Sequence, residues 1–217
     1  MYSGMNAVWE KKMRILKAVL FGLGLLPLIW LIYGALTAAL GANPIEYVNR
    51  TTGDWALWLL LLTLTITPLR RLSGWAWVMQ LRRMLGLFCF FYASLHVTSY
   101  VALDQFFAWH DILRDVRKRP YITIGLITFS LLLPLAITST RGWMKRLGRH
   151  WQSLHRLVYP AAMLAVLHFF LMVKADWRSP TIHGMALVVL LGWRVFARHG
   201  KLTHPIRRKS NPSPGSR

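Results

Sequence analysis

Cysteine is almost absent from this chain of 217 residues, and acidic residues are scarce. The single cysteine, Cys89, excludes an intramolecular disulfide framework, a cysteine-rich zinc site and the C-x-x-C-H attachment of a c-type haem. The sequence also has no Walker loop, no G-x-G-x-x-G run and no nucleophile-elbow motif, so it carries no sign of its own nicotinamide domain or hydrolase site. Any bound metal must therefore rest on other ligands, for which the chain has 8 histidines.

The scarcity of acid leaves a formal net charge of +20, from 27 Lys and Arg against 7 Asp and Glu. A basic excess of this size is typical of nucleic-acid binding proteins. Hydrophobic residues, however, make up 55% of the chain and charged residues only 16%, with 11 Trp and 10 Phe. A soluble domain of this length cannot bury so much apolar surface, and the same composition excludes intrinsic disorder. The sequence therefore predicts a membrane protein that does not bind nucleic acid.

Six apolar stretches are long enough, or nearly so, to cross a hydrocarbon layer of about 30 Å as helices of about 20 residues. The predicted spans are 15–36, 54–69, 84–103, 121–138, 156–173 and 181–197. Their apolar runs are continuous and do not alternate with period two, which argues against a transmembrane barrel. We predict an all-α integral membrane bundle of six helices over residues 15–198. An N-terminal segment of residues 1–14 precedes it, and a basic, disordered tail of residues 199–217 follows.

Lys and Arg are divided unevenly between the two sides that six spans define. The terminal segments and the second and fourth connections hold 20 basic residues and one acidic residue, whereas the other three connections hold seven basic and six acidic residues. Because short cytoplasmic loops carry the positive excess, both termini are predicted to be cytoplasmic. The basic cluster at residues 117–119 conflicts locally with this orientation. A secretory signal is the alternative for the first span, but its apolar run is longer than a typical h-region, which favours a retained helix.

Two histidines are predicted to lie deep in the membrane, where an ionisable side chain is costly and usually functional. His96 lies 13 residues beyond Arg83 on the third span, and His168 lies 12 residues beyond Arg156 on the fifth. At 1.5 Å per residue, both lie roughly 18 to 20 Å above the cytoplasmic edge. Two neutral imidazoles at matched depth are what axial ligation of a haem iron requires. The alternative is that each histidine bonds a carbonyl or hydroxyl group on a neighbouring helix.

The other histidines carry weaker predictions. His155 lies 13 residues before His168, hence about 20 Å lower, where it could ligate a second haem or contact another cofactor. The residue 13 positions before His96 is Arg83, so a second haem site lacks its obvious cross-partner, and His150 is a weak substitute. No specific role is predicted for His110, His183, His199 or His204. A colourless proton or metal transporter that uses the buried histidines is a further alternative.

Several short motifs are specific enough to suggest a family. They are R-R-M-L-G-L at 82–87, S-L-H-V-T-S-Y at 94–100, R-P-Y-I-T-I-G at 119–125, I-T-S-T at 137–140 and L-G-R-H-W-Q-S-L-H-R-L-V-Y at 147–159. From about Leu16 to Arg198 the chain resembles the MsrQ (YedZ) family, the haem-binding membrane subunits of the bacterial periplasmic methionine sulfoxide reductase system. That family belongs to a wider group with a ferric-reductase-like transmembrane domain.

The resemblance implies a b-type haem held by His96 and His168, with His155 also matching a family histidine implicated in haem binding. It further implies flavin mononucleotide (FMN), and the quinone pool or a cytoplasmic flavin reductase as electron donor. Electrons would pass to the periplasmic molybdopterin subunit MsrP, which reduces methionine sulfoxide in oxidised proteins. The chain would then be a redox subunit of the bacterial inner membrane, without substrate chemistry of its own. A stand-alone ferric reductase or a quinol-linked cytochrome b is the closer alternative.

Arg83 marks a departure from the wider group, whose members carry two histidines on each ligand helix. Arg83 stands where the second ligand of the third span would fall, so the number of haems, one or two, stays open. Basic residues at the cytoplasmic face, among them Arg82, Arg83 and Arg149, are the predicted contacts for an FMN phosphate or an acidic donor protein. Positive-inside topology alone explains most of these charges.

Overall fold

The computed structural model describes residues 2–173 and 175–202, with side chains for residues 9–173 and 175–197. Over these residues the chain forms helices and no strand. The α-helices are α1 (Tyr2–Leu36), α2 (Pro44–Ser73), α3 (Met79–Ser99), α4 (Trp109–Lys118), α5 (Pro120–Ile137), α6 (Arg141–Leu147), α7 (Arg149–Leu154), α8 (Val158–Met172) and α9 (Arg178–Leu202). Helices α1, α2, α3, α5, α8 and α9, some with a flanking turn, form six segments long and apolar enough to cross a membrane, which confirms the six predicted spans.

Helix boundaries follow local sequence signals. Asn43 caps α2 by accepting a hydrogen bond from the Glu46 backbone N–H, and Pro44 occupies the first turn, where a missing N–H costs nothing. Gly74 ends α2 in the left-handed conformation, at a φ of 73°, which glycine adopts without strain. Pro120 likewise begins α5. The last helix continues to Leu202, into the segment predicted as tail, and residues 203–217 of that tail lie outside the described residues.

Two antiparallel helix pairs form the centre of the bundle. In the first, α2 and α3 run in opposite directions, as two contacts show. Gly53 of α2 lies against His96 of α3, and Thr63, later in α2, lies near Gly86, earlier in α3. In the second pair, α5 and α8, Tyr121 bonds to His168, and Thr138 bonds to Trp151 just before α8. The buried core that joins the pairs includes Leu57, Leu60, Leu64, Cys89, Tyr92, Leu132, Ala161 and Ala162.

The remaining two spanning helices lie at the edge of the bundle. Helix α1 is parallel to α3 and contacts it through Gly24, beside the Phe88 ring, and through a hydrogen bond from Lys17 to Gln80. Helix α9 runs parallel to α2. Many large apolar side chains of α1 are more than half exposed, such as Ile29, Trp30 and Tyr33. A surface of this kind needs lipid and not water around it.

The two ends of the bundle differ in charge. We call the end with the α2–α3 and α5–α8 connections the basic end and the opposite end, which carries α4, the acidic end. The sequence analysis did not predict α4, an amphipathic helix in which both aspartates form ion pairs with nearby arginines. Arg114 lies 2.8 Å from Asp111, and Arg119 lies 3.3 Å from Asp115. The basic cluster at residues 117–119 therefore includes a neutralised member, which reduces its conflict with the predicted orientation.

Candidate functional site

His96 and His168 meet in the interior of the bundle. Their ring centroids are 6.1 Å apart, and the two ring planes are inclined by 78°. His96 is carried by α3 and His168 by α8, so one ring comes from each antiparallel pair. The structure therefore brings together the two histidines that the sequence places at matched depth.

Each imidazole is held by a backbone carbonyl of the other helix in its pair. His96 Nδ1 lies 2.9 Å from the carbonyl oxygen of Asn49 on α2, and His168 Nδ1 lies 2.7 Å from that of Tyr121 on α5. A carbonyl only accepts, so both rings carry the proton on Nδ1. Neither Nε2 makes a hydrogen bond to the part of the chain that the structure describes. The two Nε2 lone pairs are thus available for a ligand.

A glycine lies under each imidazole, one helical turn after the carbonyl. A Cβ on Gly53 would lie 3.1 Å from Cε1 and Nδ1 of His96, and one on Gly125 would lie 2.9 Å from the same atoms of His168. Such contacts are too short for an unshifted methyl group. At Gly125 an added Cβ would force the His168 ring or the backbone to shift, and at Gly53 the His96 ring would have to move by a few tenths of an ångström.

The arrangement repeats between the two helix pairs. Carbonyl and histidine are separated by 47 residues in both pairs, Asn49 from His96 and Tyr121 from His168. The glycine follows the carbonyl by four residues in both, Gly53 after Asn49 and Gly125 after Tyr121. In the sequence this repeat appears as a glycine 43 residues before each histidine, whereas the residues that supply the carbonyls, Asn49 and Tyr121, differ in type. The equal spacing is the signal that could have identified both glycines.

The histidine pair fits a haem iron. Imidazoles that bind one iron from opposite sides, each about 2 Å away, have ring centroids about 6 Å apart, which matches the observed separation of 6.1 Å. Metal-bound histidines usually donate the other ring N–H to a carbonyl or carboxylate, as both rings do here. A bare zinc or iron ion usually takes three or more protein ligands. The described residues hold no group of three His, Cys, Asp or Glu side chains suited to a metal.

A polar network at the acidic end connects the two ligand pairs. The Tyr100 hydroxyl, one turn beyond His96, donates to Asp115 on α4 at 3.3 Å. Asp115 pairs with Arg119, whose Nη1 lies 3.4 Å from the hydroxyl of Tyr121, the residue that supplies the carbonyl to His168. The π-helical turn at Tyr100–Asp104 follows directly after α3. This network fixes the end of α3 relative to the start of α5.

His155 does not join the central pair. It lies in a 3₁₀ turn before α8, stacks on the Trp151 ring at 4.0 Å between centroids, and bonds through Nδ1 to the Trp151 carbonyl at 3.2 Å. Its Nε2 is buried and makes no hydrogen bond to the described residues. The ring also lies close to the backbone of Leu135 near the end of α5. The predicted substitute, His150, is exposed.

The three arginines predicted to contact FMN lie on different surfaces. Arg83 lines a cavity of about 500 Å³ between α1 and α3, together with Lys17, Gln80 and three phenylalanines. Arg82 is half-buried and lies near His155. Arg149 is exposed at the start of α7. The described structure therefore does not gather the three into one site.

His183, for which the sequence predicts no role, is buried. It is 2% exposed and packs against Trp58 at 4.4 Å and Phe169 at 5.5 Å between ring centroids. Its Nδ1 bonds to the Ser179 carbonyl one turn earlier in α9. The ring holds α9 against α2 and α8.

The central four helices match a known class of membrane domain. A family model described as "Ferric reductase like transmembrane component" matches residues 52–166. That range begins in α2, just before Gly53, and ends in α8, just before His168. Fold and match together define a multi-pass membrane protein of the ferric-reductase-like class.

Similar proteins narrow the class further. A relative from Herminiimonas arsenicoxydans is 54% identical over 85% of this chain and 86% of its own length. One from Xanthomonas axonopodis pv. citri is 50% identical over 84% of each chain, and one from Xanthomonas campestris pv. campestris (strain 8004) is 55% identical over 74% of this chain and 73% of its own. All three are named "Protein-methionine-sulfoxide reductase heme-binding subunit MsrQ". The chain belongs to the MsrQ family, as its sequence motifs indicate.

Proposed function

We propose that this protein is a membrane electron-transfer subunit that holds a b-type haem between His96 and His168 and serves a methionine sulfoxide reductase system. The observation that carries the proposal is the ring separation of 6.1 Å, with both Nδ1 atoms on carbonyls. The names of the family members, which are haem-binding subunits, support the same interpretation.

The residues of the site have separate tasks. His96 and His168 would ligate the iron through Nε2, and a bound haem would supply one-electron chemistry between ferric and ferrous iron. The Asn49 and Tyr121 carbonyls orient the rings and keep the proton on Nδ1. Gly53 and Gly125 permit that approach. The proposed role is therefore electron transfer without bond chemistry by side chains.

Donor and acceptor would lie at opposite ends of the bundle. We propose that the basic end faces the cytoplasm, because it carries the excess of Lys and Arg, and that the protein lies in the bacterial inner membrane. The acidic end would then face the periplasm and the molybdopterin subunit MsrP. The donor would be the quinone pool or a cytoplasmic flavin reductase. FMN is part of the proposal, as a cofactor near the basic end, where Arg82, Arg83 and Arg149 lie.

The test is the reduced-minus-oxidised absorption spectrum of the purified protein. We expect a b-type haem spectrum in the wild type, and its loss in His96→Ala and in His168→Ala. His110→Ala is the matched control, because that side chain is 89% exposed and lies at the acidic end. A colourless wild type, or an unchanged spectrum in both ligand variants, would contradict the proposal and favour a transporter.

The alternative of a stand-alone ferric reductase rests on the description of the matching family model. Deletion of the chain in a bacterium that carries it distinguishes the two. We expect the reduction of oxidised methionine in periplasmic proteins to fall while ferric reduction by intact cells stays normal. The opposite pattern would favour the ferric reductase.

A further inference from the structure

The cavity between the parallel helices α1 and α3 has a polar part at the basic end of the bundle. Its volume of about 500 Å³ lies within the usual range for a ligand site, about 300–1,000 Å³. The polar lining residues are Lys17 on α1 and Gln80 and Arg83 on α3. Lys17 Nζ donates to Gln80 Oε1 at 2.8 Å, and Gln80 is the second residue of α3. All three therefore lie beside the first turns of α3. We call this space the α1–α3 cavity.

The rest of the lining is apolar and follows both helices toward the middle of the bundle. On α1, Phe21 and Leu25 lie one and two turns after Lys17. On α3, Leu87 and Phe91 lie at the same intervals after Arg83. Two turns of helix correspond to about 12 Å at 1.5 Å per residue. The α1–α3 cavity therefore suits an amphiphile whose polar group lies at the basic end and whose apolar chain extends inward.

The polar part carries positive charge without a counterion. Arg83 makes no hydrogen bond or ion pair to residues 9–173 and 175–197, and within the same residues the Lys17 ammonium bonds only to Gln80. No acidic side chain of the described residues lines the cavity. Two cations beside one space attract an anion, and a guanidinium next to an ammonium suits a phosphate group.

The apolar part is open to the lipid. The side chains of Phe21 and Leu87 are 54% and 38% exposed, and both lie on helices that are long enough to cross a membrane. A lipid can enter from this side. FMN would bring its hydroxyl groups and ring nitrogens against apolar walls, which costs free energy because these groups would lack hydrogen-bond partners there. A quinone carries no charge that Lys17 and Arg83 could neutralise.

We propose that the α1–α3 cavity binds an anionic phospholipid, with the phosphate on Lys17 and Arg83 and an acyl chain along the apolar walls. The bound lipid would fasten α1 to the bundle. This helix is otherwise held by few polar contacts, among them the bond from Lys17 to Gln80 and the bond from Tyr92 to the Gly24 carbonyl. The inference does not rest on the haem, because neither ligand histidine lines the cavity.

The experiment compares two lipids on the purified full-length protein. Delipidated protein is titrated with phosphatidylglycerol, whose headgroup is anionic, or with phosphatidylcholine, whose headgroup has no net charge, and native mass spectrometry counts the bound lipids per chain. Lys17→Gln and Arg83→Gln each remove a charge, whereas Leu87→Trp fills the apolar part and keeps the charge. Arg70→Gln is the control for charge, because Arg70 is exposed on α2 and does not line the cavity. Leu126→Trp, on an exposed side chain of α5, is the control for size.

We expect the wild type to bind phosphatidylglycerol more tightly than phosphatidylcholine. Each glutamine variant should bind phosphatidylglycerol about fivefold more weakly, which is the usual effect of one basic side chain near an anionic lipid. Leu87→Trp should weaken this binding as well, and both controls should keep the wild-type affinity.

Three results would overturn the inference. The first is equal affinity of the wild type for the two lipids. The second is an equal loss in Arg83→Gln and Arg70→Gln, which would show that only the overall charge matters. The third is an unchanged phosphatidylglycerol affinity in Arg83→Gln together with loss of copurified flavin or quinone, which would assign the cavity to that molecule. Each of these results leaves the haem spectrum, and with it the test of the proposed function, unaffected.

Discussion

His96 and His168 face each other with ring centroids 6.1 Å apart, although 72 positions separate them in the sequence. Each ring is fixed by a carbonyl 47 residues earlier and rests on a glycine one turn beyond that carbonyl. The two halves of the site therefore use one geometry twice. The glycines therefore contribute to the site by allowing the close approach of each ring to its carbonyl.

Alanine at Gly125 should disturb the site more than alanine at Gly53. The added Cβ would lie 2.9 Å from the His168 ring and 3.1 Å from the His96 ring, respectively. Displacement of a ring from its carbonyl should weaken haem binding by about 10- to 100-fold, which is typical for loss of a metal ligand's hydrogen-bond partner. Haem content per chain and the reduction potential measure the effect.

Gly22→Ala is the control for these variants. Gly22 lies in α1, and the position that an added Cβ would take has no neighbouring atom within 4 Å, so haem content should stay at the wild-type level. Full haem content and an unchanged potential in Gly125→Ala would show that the ring does not depend on this close approach.

Asp115→Asn should destabilise the protein more than Asp111→Asn. The Asp115 side chain is 10% exposed and accepts from Tyr100 and Arg119, whereas that of Asp111 is 43% exposed and pairs only with neighbours on α4. We expect losses of about 1–3 kcal/mol at Asp115 and less than about 1 kcal/mol at Asp111. Unfolding in detergent measures both, and equal losses would contradict the role of the network that joins α3 to α5.

Arg194 and Pro68 should be energetically coupled. Arg194 Nη2 of α9 donates to the Leu64 carbonyl of α2, which lacks a helical donor because Pro68 has no N–H. Arg194→Ala leaves this carbonyl without a donor, whereas in a Pro68→Ala background the helix supplies its own N–H. The free energy lost by Arg194→Ala should therefore be smaller, by about 1–2 kcal/mol, in that background. A double-mutant cycle by unfolding in detergent measures the coupling energy. Additive losses would mean that Arg194 does not replace the hydrogen bond that Pro68 removes.

Tyr92→Phe should loosen the attachment of α1. The Tyr92 hydroxyl donates to the Gly24 carbonyl at 2.7 Å, one of few polar contacts that hold this helix. We expect a loss of about 0.5–1.5 kcal/mol, with haem content unchanged, because the hydroxyl points away from the histidine pair toward α1. Tyr33→Phe, on the exposed face of α1, is the control and should have no effect on stability.

Much of the fold could be predicted from the sequence, because long apolar runs are visible in the order of the residues and six of them form helices long enough to cross a membrane. The matched level of His96 and His168 along the bundle could also be predicted, since helical rise converts residue spacing into distance. The alternative, in which each histidine bonds a carbonyl, is compatible with ligation of an iron. In the structure Nδ1 of each ring bonds a carbonyl, and Nε2 stays available for the metal. The sequence alone could not show that one nitrogen of each ring bonds a carbonyl while the other is left for a metal.

The parts that sequence reasoning missed depend on backbone atoms or on contacts between distant helices. Any residue type supplies a backbone carbonyl, so the roles of Asn49 and Tyr121 cannot be predicted from their side chains. In the sequence Arg194 is one of many basic residues that positive-inside topology explains. The structure shows that it lies next to the Leu64 carbonyl, which lacks a helical donor because Pro68 has no N–H. The burial of His183 is likewise set by Trp58 and Phe169 on neighbouring helices.

The most direct test of the account is the electron paramagnetic resonance spectrum of the ferric protein, which reports the axial ligands and their relative orientation. Two imidazoles inclined by 78° predict a low-spin ferric signal of high anisotropy. That signal should vanish in His96→Ala and in His168→Ala and persist in His110→Ala. The absence of a low-spin ferric signal from the wild type, or its persistence in either ligand variant, would contradict the central claim that these two histidines hold one haem iron.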